Sequence, residues 1–435
     1  YDQAIDAEQS ELDQDKRRAA IFKAQEIMAR DIPFVAMYHP SLTQAYNKAK
    51  YTDVISVPGV WVWNIKSFMS ARPITGDATY RVGFTGDMIT LNPMATTGSF
   101  ELDVVRFIWD TLGKVQPDGR IAPWMAERWT VVNPTTIRVV LKDGLSFHDG
   151  RLVTARDVAF TYSYILKWRP QWYRPNIAAI KDVQAVDDKT IVFNLNKPYG
   201  PIFLTFAWIP IIPEHLWKDI VEAQGVKSPA QVKTIPRIGS GPFKFASINP
   251  QSIRLARNDA HFAKPQSKEF LWIAFSNRES EFLAMVNQDI YFHEQKGLSV
   301  THIDEAKKYP HLEVRDDPSL TVHWVAFNLR DHSPFRDYTL RHAVAHLMNT
   351  ESYVKDILKG HGDAGRGMIA PANKLWHNAK IPSKETPGQV HYHQYDPAKA
   401  KKILQDAGFS WDKDGRLRYP ADYKPKLLPT SEKDY

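Results

Sequence analysis

The stretch that decides the fold spans residues 141–158 and reads LKDGLSFHDGRLVTARDV. It starts at the end of a β-rich run, 136–141, and the Lys-Asp-Gly at 142–144 predicts a hairpin-type turn after that strand. Thr154 and Asp157 have the spacing of a capping box, which predicts a helix beginning directly after Thr154. The apolar residues of that helix fall on one face, namely Val158, Tyr162, Ile165 and Leu166. The stretch therefore predicts a strand, a polar connection and a helix in succession.

Helix and strand signals continue on both sides of this stretch. Asp13 is a plausible N-cap for a helix whose apolar residues repeat between Ala20 and Met28, and Pro33 ends it. Asp396 and Pro397 begin the last predicted helix, which Gly408 ends. Further strands are predicted at 34–38, 80–84 and 190–195. Since helices and strands mix without strict alternation, the fold class is α/β or α+β, in several domains.

Length and composition exclude several classes of protein. The 435 residues suggest two or three domains, and 43% hydrophobic with 24% charged residues argues against disorder and against a membrane-embedded chain. The 56 Lys and Arg against 49 Asp and Glu are scattered, which argues against a nucleic-acid partner. The absence of cysteine excludes disulfides, thiolate nucleophiles and cysteine-based zinc sites.

Four polar or glycine-rich motifs of the sequence are candidates for sites of chemistry. His391 and His393 could both ligate a metal, but no third ligand stands at motif spacing, so exposed loop histidines are the favoured interpretation. Residues 239–242 (GSGP) lack the spacing of a nucleophile elbow and predict a tight turn. Residues 360–367 match no nucleotide-binding loop, and Glu101 with Asp103 reads as an ordinary surface pair. No catalytic residue, metal site or cofactor is predicted.

Aromatic residues are abundant, with 13 Trp, 18 Tyr and 21 Phe. Several lie among polar residues, as a ligand-stacking cleft requires: Trp168, Trp172, Tyr173, Trp324 and Trp376. The alternative interpretation is that each packs as ordinary core between lobes.

The chain as a whole resembles a known family. Residues 141–158 resemble the signature of the family 5 extracellular solute-binding proteins, the dipeptide- and oligopeptide-binding type that serves ABC importers. Further segments resemble this family in its own order: 91–93 (LNP), 121–129 (IAPWMAERW), 239–243 (GSGPF), 327–343 (FN, PFRD, Arg341, Ala343) and 395–408 (YDPAKA, AG). The resemblance covers more than 300 residues.

The order is broken at one place. Residues 1–73 resemble the carboxyl-terminal end of such a protein, yet they precede the apparent start at Tyr80. A stretch the family carries after Ala407 and Gly408 is missing, including the acidic residue that pairs with a peptide's amino terminus. We consider two explanations, a fragment spanning two tandem modules or a circularly permuted chain. In either case residues 40–70 should pack against the same lobe as the strand at 80–84, and Tyr38 should share a lobe with Phe84.

The resemblance implies a two-lobed periplasmic-binding-protein fold (type II-like) with an extra subdomain. The main lobe would draw on 74–100 and 200–270, the extra subdomain on 101–199, and an incomplete second lobe on 271–435. The implied function is capture of a peptide or similar small solute in a cleft and its delivery to an ABC permease in the inner membrane, outside the cytoplasm and without catalysis or cofactor. A non-peptide solute such as a sugar, an opine or a metal chelate, and a hydrolase using the same cleft, are the alternatives. The candidate ligand-binding residues are Thr85, Asp87, Met88, Trp172, Tyr173, Trp324 and Asn328.

Overall fold

The computed structural model describes residues 1–57, 61–86, 90–116, 118–293, 297–381 and 393–428. The helices are α1 (Asp2–Ser10), α2 (Gln14–Asp31), α3 (Ile65–Ser70), α4 (Ser99–Ile108), α5 (Ala155–Trp168), α6 (Arg174–Ile177), α7 (Ile202–Trp208), α8 (Glu214–Trp217), α9 (Ile220–Ala223), α10 (Arg278–Val286), α11 (Ile303–Ala306), α12 (Tyr338–Ala345), α13 (Thr350–Ser352) and α14 (Pro397–Asp406). Within the described residues, no helix combines the length and the apolar character needed to span a bilayer.

The strands are β1 (Phe34–Asn47), β2 (Tyr51–Thr52), β3 (Arg72–Pro73), β4 (Thr79–Thr85), β5 (Gly113–Val115), β6 (Ile121–Pro123), β7 (Ala126–Asn133), β8 (Thr136–Leu141), β9 (Ile180–Ala185), β10 (Thr190–Leu195), β11 (Phe243–Asn249), β12 (Ser252–Arg257), β13 (Glu269–Phe275), β14 (Leu312–Pro318), β15 (His323–Ala326), β16 (Gly362–Ala364), β17 (Ser410–Trp411) and β18 (Leu417–Arg418).

The chain divides into two compact units. Unit 1 comprises residues 1–8, 15–42 and 316–435, and unit 2 comprises residues 9–14 and 43–315. Tyr38 therefore belongs to unit 1 and Phe84 to unit 2, so the prediction that they share a lobe is wrong. The reason is that β1 is one long strand that runs through the boundary after Leu42, rather than the short strand predicted at 34–38.

Unit 2 is built on two four-stranded sheets. One has the antiparallel order β7-β8-β10-β9, and the other has the order β11-β12-β13-β4, in which β13 and β4 run parallel. Alternate residues of β10 are buried, as the period of two in Thr190–Leu195 requires, and α5 covers this face. Tyr162 of α5 meets Phe193 of β10 edge to face, with 4.8 Å between the ring centroids.

The parallel strand β4 lies at the aromatic centre of unit 2. Tyr80 stacks on Phe292 at 3.7 Å between centroids and on Phe270 at 4.8 Å, and each of the three rings is at most 1% exposed. Tyr51 and Phe68 pack edge to face on Tyr80 at 5.2 and 5.4 Å. These two side chains thus pack in the same unit as the strand at 80–84, as predicted for residues 40–70.

The signature stretch folds largely as predicted. The capping box is present, because Asp157 Oδ2 accepts from the Thr154 N–H and hydroxyl, both at 3.0 Å. Gly144, at φ +70°, makes the predicted turn after β8. The turn does not form a hairpin, however: the strands that flank β8 in the sheet are β7 and β10. The chain instead continues into an irregular loop that reaches residues 239–241.

His148 ties that loop to the glycine-rich turn at 239–242. The Gly239 N–H donates to its Nδ1 at 3.2 Å, so Nε2 carries the ring hydrogen and donates to the Gly241 carbonyl at 3.0 Å. Burial lowers the pKa of His148 to about 4, and the imidazole is therefore neutral. The turn itself lies against α4, where a Cβ on Gly239 would stand 1.9 Å from the Ile108 carbonyl oxygen. Only glycine fits this approach.

Candidate ligand-binding site

A row of aromatic and charged side chains lies in unit 2, and we call it the Trp–Arg row: Trp63, Asp103, Arg106, Trp208 and Trp172. Trp63 Nε1–H donates to Asp103 Oδ2 at 2.7 Å, and Arg106 Nη1 donates to Asp103 Oδ1 at 3.4 Å. The Arg106 guanidinium lies 5.2 Å from the centroid of the Trp208 ring. Trp208 in turn stacks on Trp172, with 5.7 Å between centroids and 19° between the planes.

Three local features place these side chains. Asp103 and Arg106 stand three residues apart on α4, so they share a helix face. Trp208 is the last residue of α7. Trp172 lies in the turn that follows α5, which ends in the left-handed conformation of Arg169 at φ +47°.

The charges of the row are partly desolvated. The Asp103 side chain is 13% exposed, and burial raises its pKa although Arg106 and Trp63 act in the opposite direction. The Arg106 side chain is 31% exposed, so its guanidinium keeps an accessible side. Among the described residues no acceptor pairs with the Trp172 indole N–H, which is shielded from solvent. Flat aromatic faces beside a partly exposed cation suit a small molecule that carries oxygen acceptors.

The predicted site residues of unit 2 are placed differently from one another. Thr85 is the last residue of β4 and is half-buried, whereas Asp87 and Met88 lie outside the described residues. Trp172 belongs to the Trp–Arg row. Tyr173 is 1% exposed within the core, so its ring serves packing in this structure.

The other two predicted site residues belong to unit 1. Trp324 is 49% exposed on β15 and meets Phe34 edge to face at 6.3 Å. Asn328 is exposed and caps its own turn, because its Oδ1 accepts from the Arg330 N–H at 3.1 Å. The structure thus places Trp172 with Trp208, and Trp324 with Phe34.

Two interpretations from the sequence need correction. Glu101 and Asp103 are not a surface pair, since Glu101 is 5% exposed and the Asp103 side chain 13%. The spacing of Asp103 and Arg106 was the available signal for a helical ion pair. His393 is half-buried rather than exposed, and it meets His342 and His346 of unit 1; His391 lies outside the described residues. The other two histidines of this group, His342 and His346, lie at the end of α12, outside any motif.

Comparison with known proteins decides the family. Residues 120–435, more than half of the chain, match the model of the bacterial extracellular solute-binding proteins, family 5 (middle). The chain belongs to this family. Its family 5 relatives include a peptide-binding protein assigned to an ABC transporter of Brucella ovis, 27% identical over 355 residues that cover 79% of this chain and 62% of the relative. The oligopeptide-binding protein AppA of Bacillus subtilis is 25% identical and covers 77% and 61%, respectively.

Solved family 5 structures show the same fold. AppA of Bacillus subtilis in complex with a nonapeptide matches with a TM-score of 0.61 at 24% identity, over 80% of this chain and 67% of that one. NikZ of Campylobacter jejuni in complex with Ni(L-His) matches with a TM-score of 0.59 at 20% identity, over 79% and 66%. The predicted two-lobed binding-protein fold is confirmed. The chain spans about 62% of the length of the Brucella relative.

Proposed function

We propose that this chain captures a peptide or similar small solute for an ABC importer and hands it to a membrane permease, outside the cytoplasm. The observation that carries the proposal is the family 5 match over residues 120–435. Relatives named as peptide-binding and oligopeptide-binding proteins support peptide as the first ligand class.

Within this chain, the Trp–Arg row contributes one wall of the ligand site. Trp172 and Trp208 offer stacked indoles, and Arg106 lies beside them with an accessible side. A carboxylate or amide oxygen of the solute would find a donor there in the accessible side of the Arg106 guanidinium. Affinity then comes from stacking and fixed donors, with no bond made or broken.

The test begins with what the protein holds on purification. Native mass spectrometry should show a bound small molecule, and calorimetry with that molecule should give saturable binding to the emptied protein. Trp172→Ala should weaken binding by about 1–3 kcal/mol, roughly 5- to 150-fold in Kd. The matched control is Trp411→Ala, a 38% exposed tryptophan on β17 outside the row, which should bind as the parent does. Equal affinity of Trp172→Ala and Trp411→Ala for the ligand would show that the Trp–Arg row is not part of the ligand site.

The same experiment separates capture from catalysis. The recovered molecule should leave the protein with unchanged mass after prolonged incubation. Turnover of a peptide or a saccharide by the purified chain would reject the proposal in favour of a hydrolase.

A non-peptide solute is the second candidate. Solved structures that match this chain similarly well include NikZ with Ni(L-His), at a TM-score of 0.59, and AgaA of Agrobacterium tumefaciens with agropinic acid, at 0.58. A nickel–histidine chelate and an opine therefore belong in the calorimetric panel beside di- and nonapeptides. Saturable binding of one of them, without binding of any peptide, would select this candidate.

We also propose a lobe assignment for unit 2. The sheet of β7 to β10 lies inside the extra subdomain predicted at 101–199, and strands β4 and β11 lie inside the main lobe predicted at 74–100 and 200–270. Residues 15–42 and 316–435 of unit 1 would then supply the second lobe, whereas residues 43–73 and 271–315 belong to unit 2. The sequence of the encoding gene, together with the intact mass of the expressed protein, tests the permuted and the tandem explanations of the chain order.

A further inference from the structure

Three histidines converge in unit 1, away from the Trp–Arg row. His342 and His346 stand four residues apart at the end of α12, so both side chains project from one face of the helix. His393 approaches from the segment that precedes α14. One ring nitrogen from each lies within 4.8 Å of the other two.

The rings are arranged to converge rather than to stack. Their centroids form a nearly equilateral triangle, with 5.2 Å between His342 and His346, 5.2 Å between His342 and His393, and 5.1 Å between His346 and His393. The planes are inclined to one another by 46–88°. Such inclined rings can direct nitrogen lone pairs toward a common point, which stacked rings cannot do.

His346 is held in the tautomer that metal binding requires. Its Nδ1 pairs with the Gln394 carbonyl oxygen at 2.7 Å, and because a carbonyl only accepts, Nδ1 carries the hydrogen. The Nε2 lone pair is therefore available. This atom is buried and has no hydrogen-bond partner among the described residues. A metal-ligating histidine commonly donates its second nitrogen to a carbonyl in this way, which fixes the orientation of the ring.

The surroundings leave room for a fourth ligand. His342 and His346 are 6% and 2% exposed, and His393 is half-buried. His393 also lines a cavity of about 50 Å³ together with Ala345 and Thr350. That volume holds a water molecule, which would complete a tetrahedral set.

From this geometry we propose that His342, His346 and His393 bind a divalent late transition-metal ion, Zn²⁺ in the first place. Three imidazoles with one open position form a known zinc ligand set, and imidazole is a preferred ligand of such metals. Binding requires the nitrogens to draw together, because tetrahedral bonds of about 2.0–2.1 Å place the ligand atoms about 3.4 Å apart. The ion would fasten the segment that carries His393 to the end of α12. The site is independent of the proposed solute capture.

The experiment uses the full chain without an affinity tag, stripped with EDTA and dialysed. Calorimetry with Zn²⁺ should give one site per chain, and Co²⁺ should produce the visible absorption of a tetrahedral complex. His346→Gln and His393→Gln should each weaken Zn²⁺ binding by at least 10-fold and abolish the Co²⁺ spectrum. Zn²⁺ should also raise the thermal unfolding temperature of the parent and not of these variants.

The matched control is His377→Gln. His377 belongs to the same unit, is half-buried and pairs its Nδ1 with the Ile369 carbonyl at 2.9 Å, but it lies outside the cluster. Its replacement should leave metal binding unchanged. If a cluster variant does not fold, as judged by circular dichroism, the other variant and the Co²⁺ spectrum of the parent decide. A parent that binds Zn²⁺ more weakly than about 1 mM, or variants that bind it as well as the parent, would overturn the proposal.

Discussion

Acidification tests the link between His148 and the glycine-rich turn most directly. In the folded chain the pKa of His148 is about 4 because the ring is buried, against an ordinary value of 6.5. Between these two pH values His148 is protonated in the unfolded chain and neutral in the folded chain. The free energy of unfolding therefore falls as the pH falls from 6.5 to 4, and it falls no further on this account below 4.

The magnitude follows from the same two values. At about 1.4 kcal/mol per pKa unit, the interval between 6.5 and about 4 corresponds to about 3 kcal/mol from this one residue. The hydrogen bond at Nδ1 opposes protonation in the same direction as burial. Nδ1 accepts from the Gly239 N–H, so a proton on Nδ1 would set two donors against each other.

The assay compares urea unfolding of the parent and of His148→Gln, followed by tryptophan fluorescence from pH 7 to pH 4. Glutamine can still donate and accept near both backbone groups but does not titrate. The variant should be less stable than the parent at pH 7, and the gap should narrow by about 3 kcal/mol at pH 4. His332→Gln, which replaces an exposed histidine, is the control for histidine content and should keep the parent's pH slope. Parallel pH profiles for the parent and His148→Gln would refute the reasoning, as would an NMR titration that places His148 near 6.5.

Two further predictions concern buried groups of unit 2. Gly239→Ala should lower the free energy of unfolding by about 1–3 kcal/mol or more, because its Cβ would overlap the Ile108 carbonyl oxygen. The control is Gly76→Ala, where no atom lies within 4 Å of the new Cβ, and it should be nearly neutral in the same urea assay. A result in which both alanines cost the same would contradict the close approach. Burial lowers the pKa of Lys114 from 10.5 to about 8. Between these two pH values Lys114 is protonated in the unfolded chain and largely neutral in the folded chain. The free energy of unfolding should therefore rise with pH above 8. Lys114→Met should lack about 1–2 kcal/mol of that rise between pH 8 and 9.5, measured against the parent, and an unchanged slope would show that Lys114 titrates normally.

Local patterns in the sequence predicted the helix caps and the strand alternation, which depend on residues close together in the chain. The Thr154–Asp157 capping box and the Asp396 N-cap with Pro397 each depend on atoms a few residues apart, and both were found. The alternating burial of β10 follows equally from its own residues. Tyr173 shows where such reasoning ends: its polar sequence neighbours suggested a cleft, but the direction of a side chain in a turn depends on the packing around it, and the ring is buried.

Contacts between distant segments could not be predicted in the same way. His148 meets Gly239 across 91 positions, and His346 meets Gln394 across 48. The spacing of His342 and His346 was visible in the sequence, but nothing in it indicated that His393 would complete the triangle. The Trp–Arg row likewise joins α4, α7 and the turn after α5, three elements that no single motif connects.

Several residues that resemble the family's signature link these distant segments. His148 and the turn at 239–242 are hydrogen-bonded to each other. Asp157 caps α5, and its Oδ1 accepts from the N–H of Glu214, the first residue of α8, at 3.1 Å. Side chains committed to such contacts are not available to a solute. These positions therefore report the fold, and the fold is shared by structures as different in ligand as AppA with a nonapeptide and NikZ with Ni(L-His). The choice of ligand must depend on residues that the fold leaves accessible, of which Arg106 and Trp324 are the first to examine.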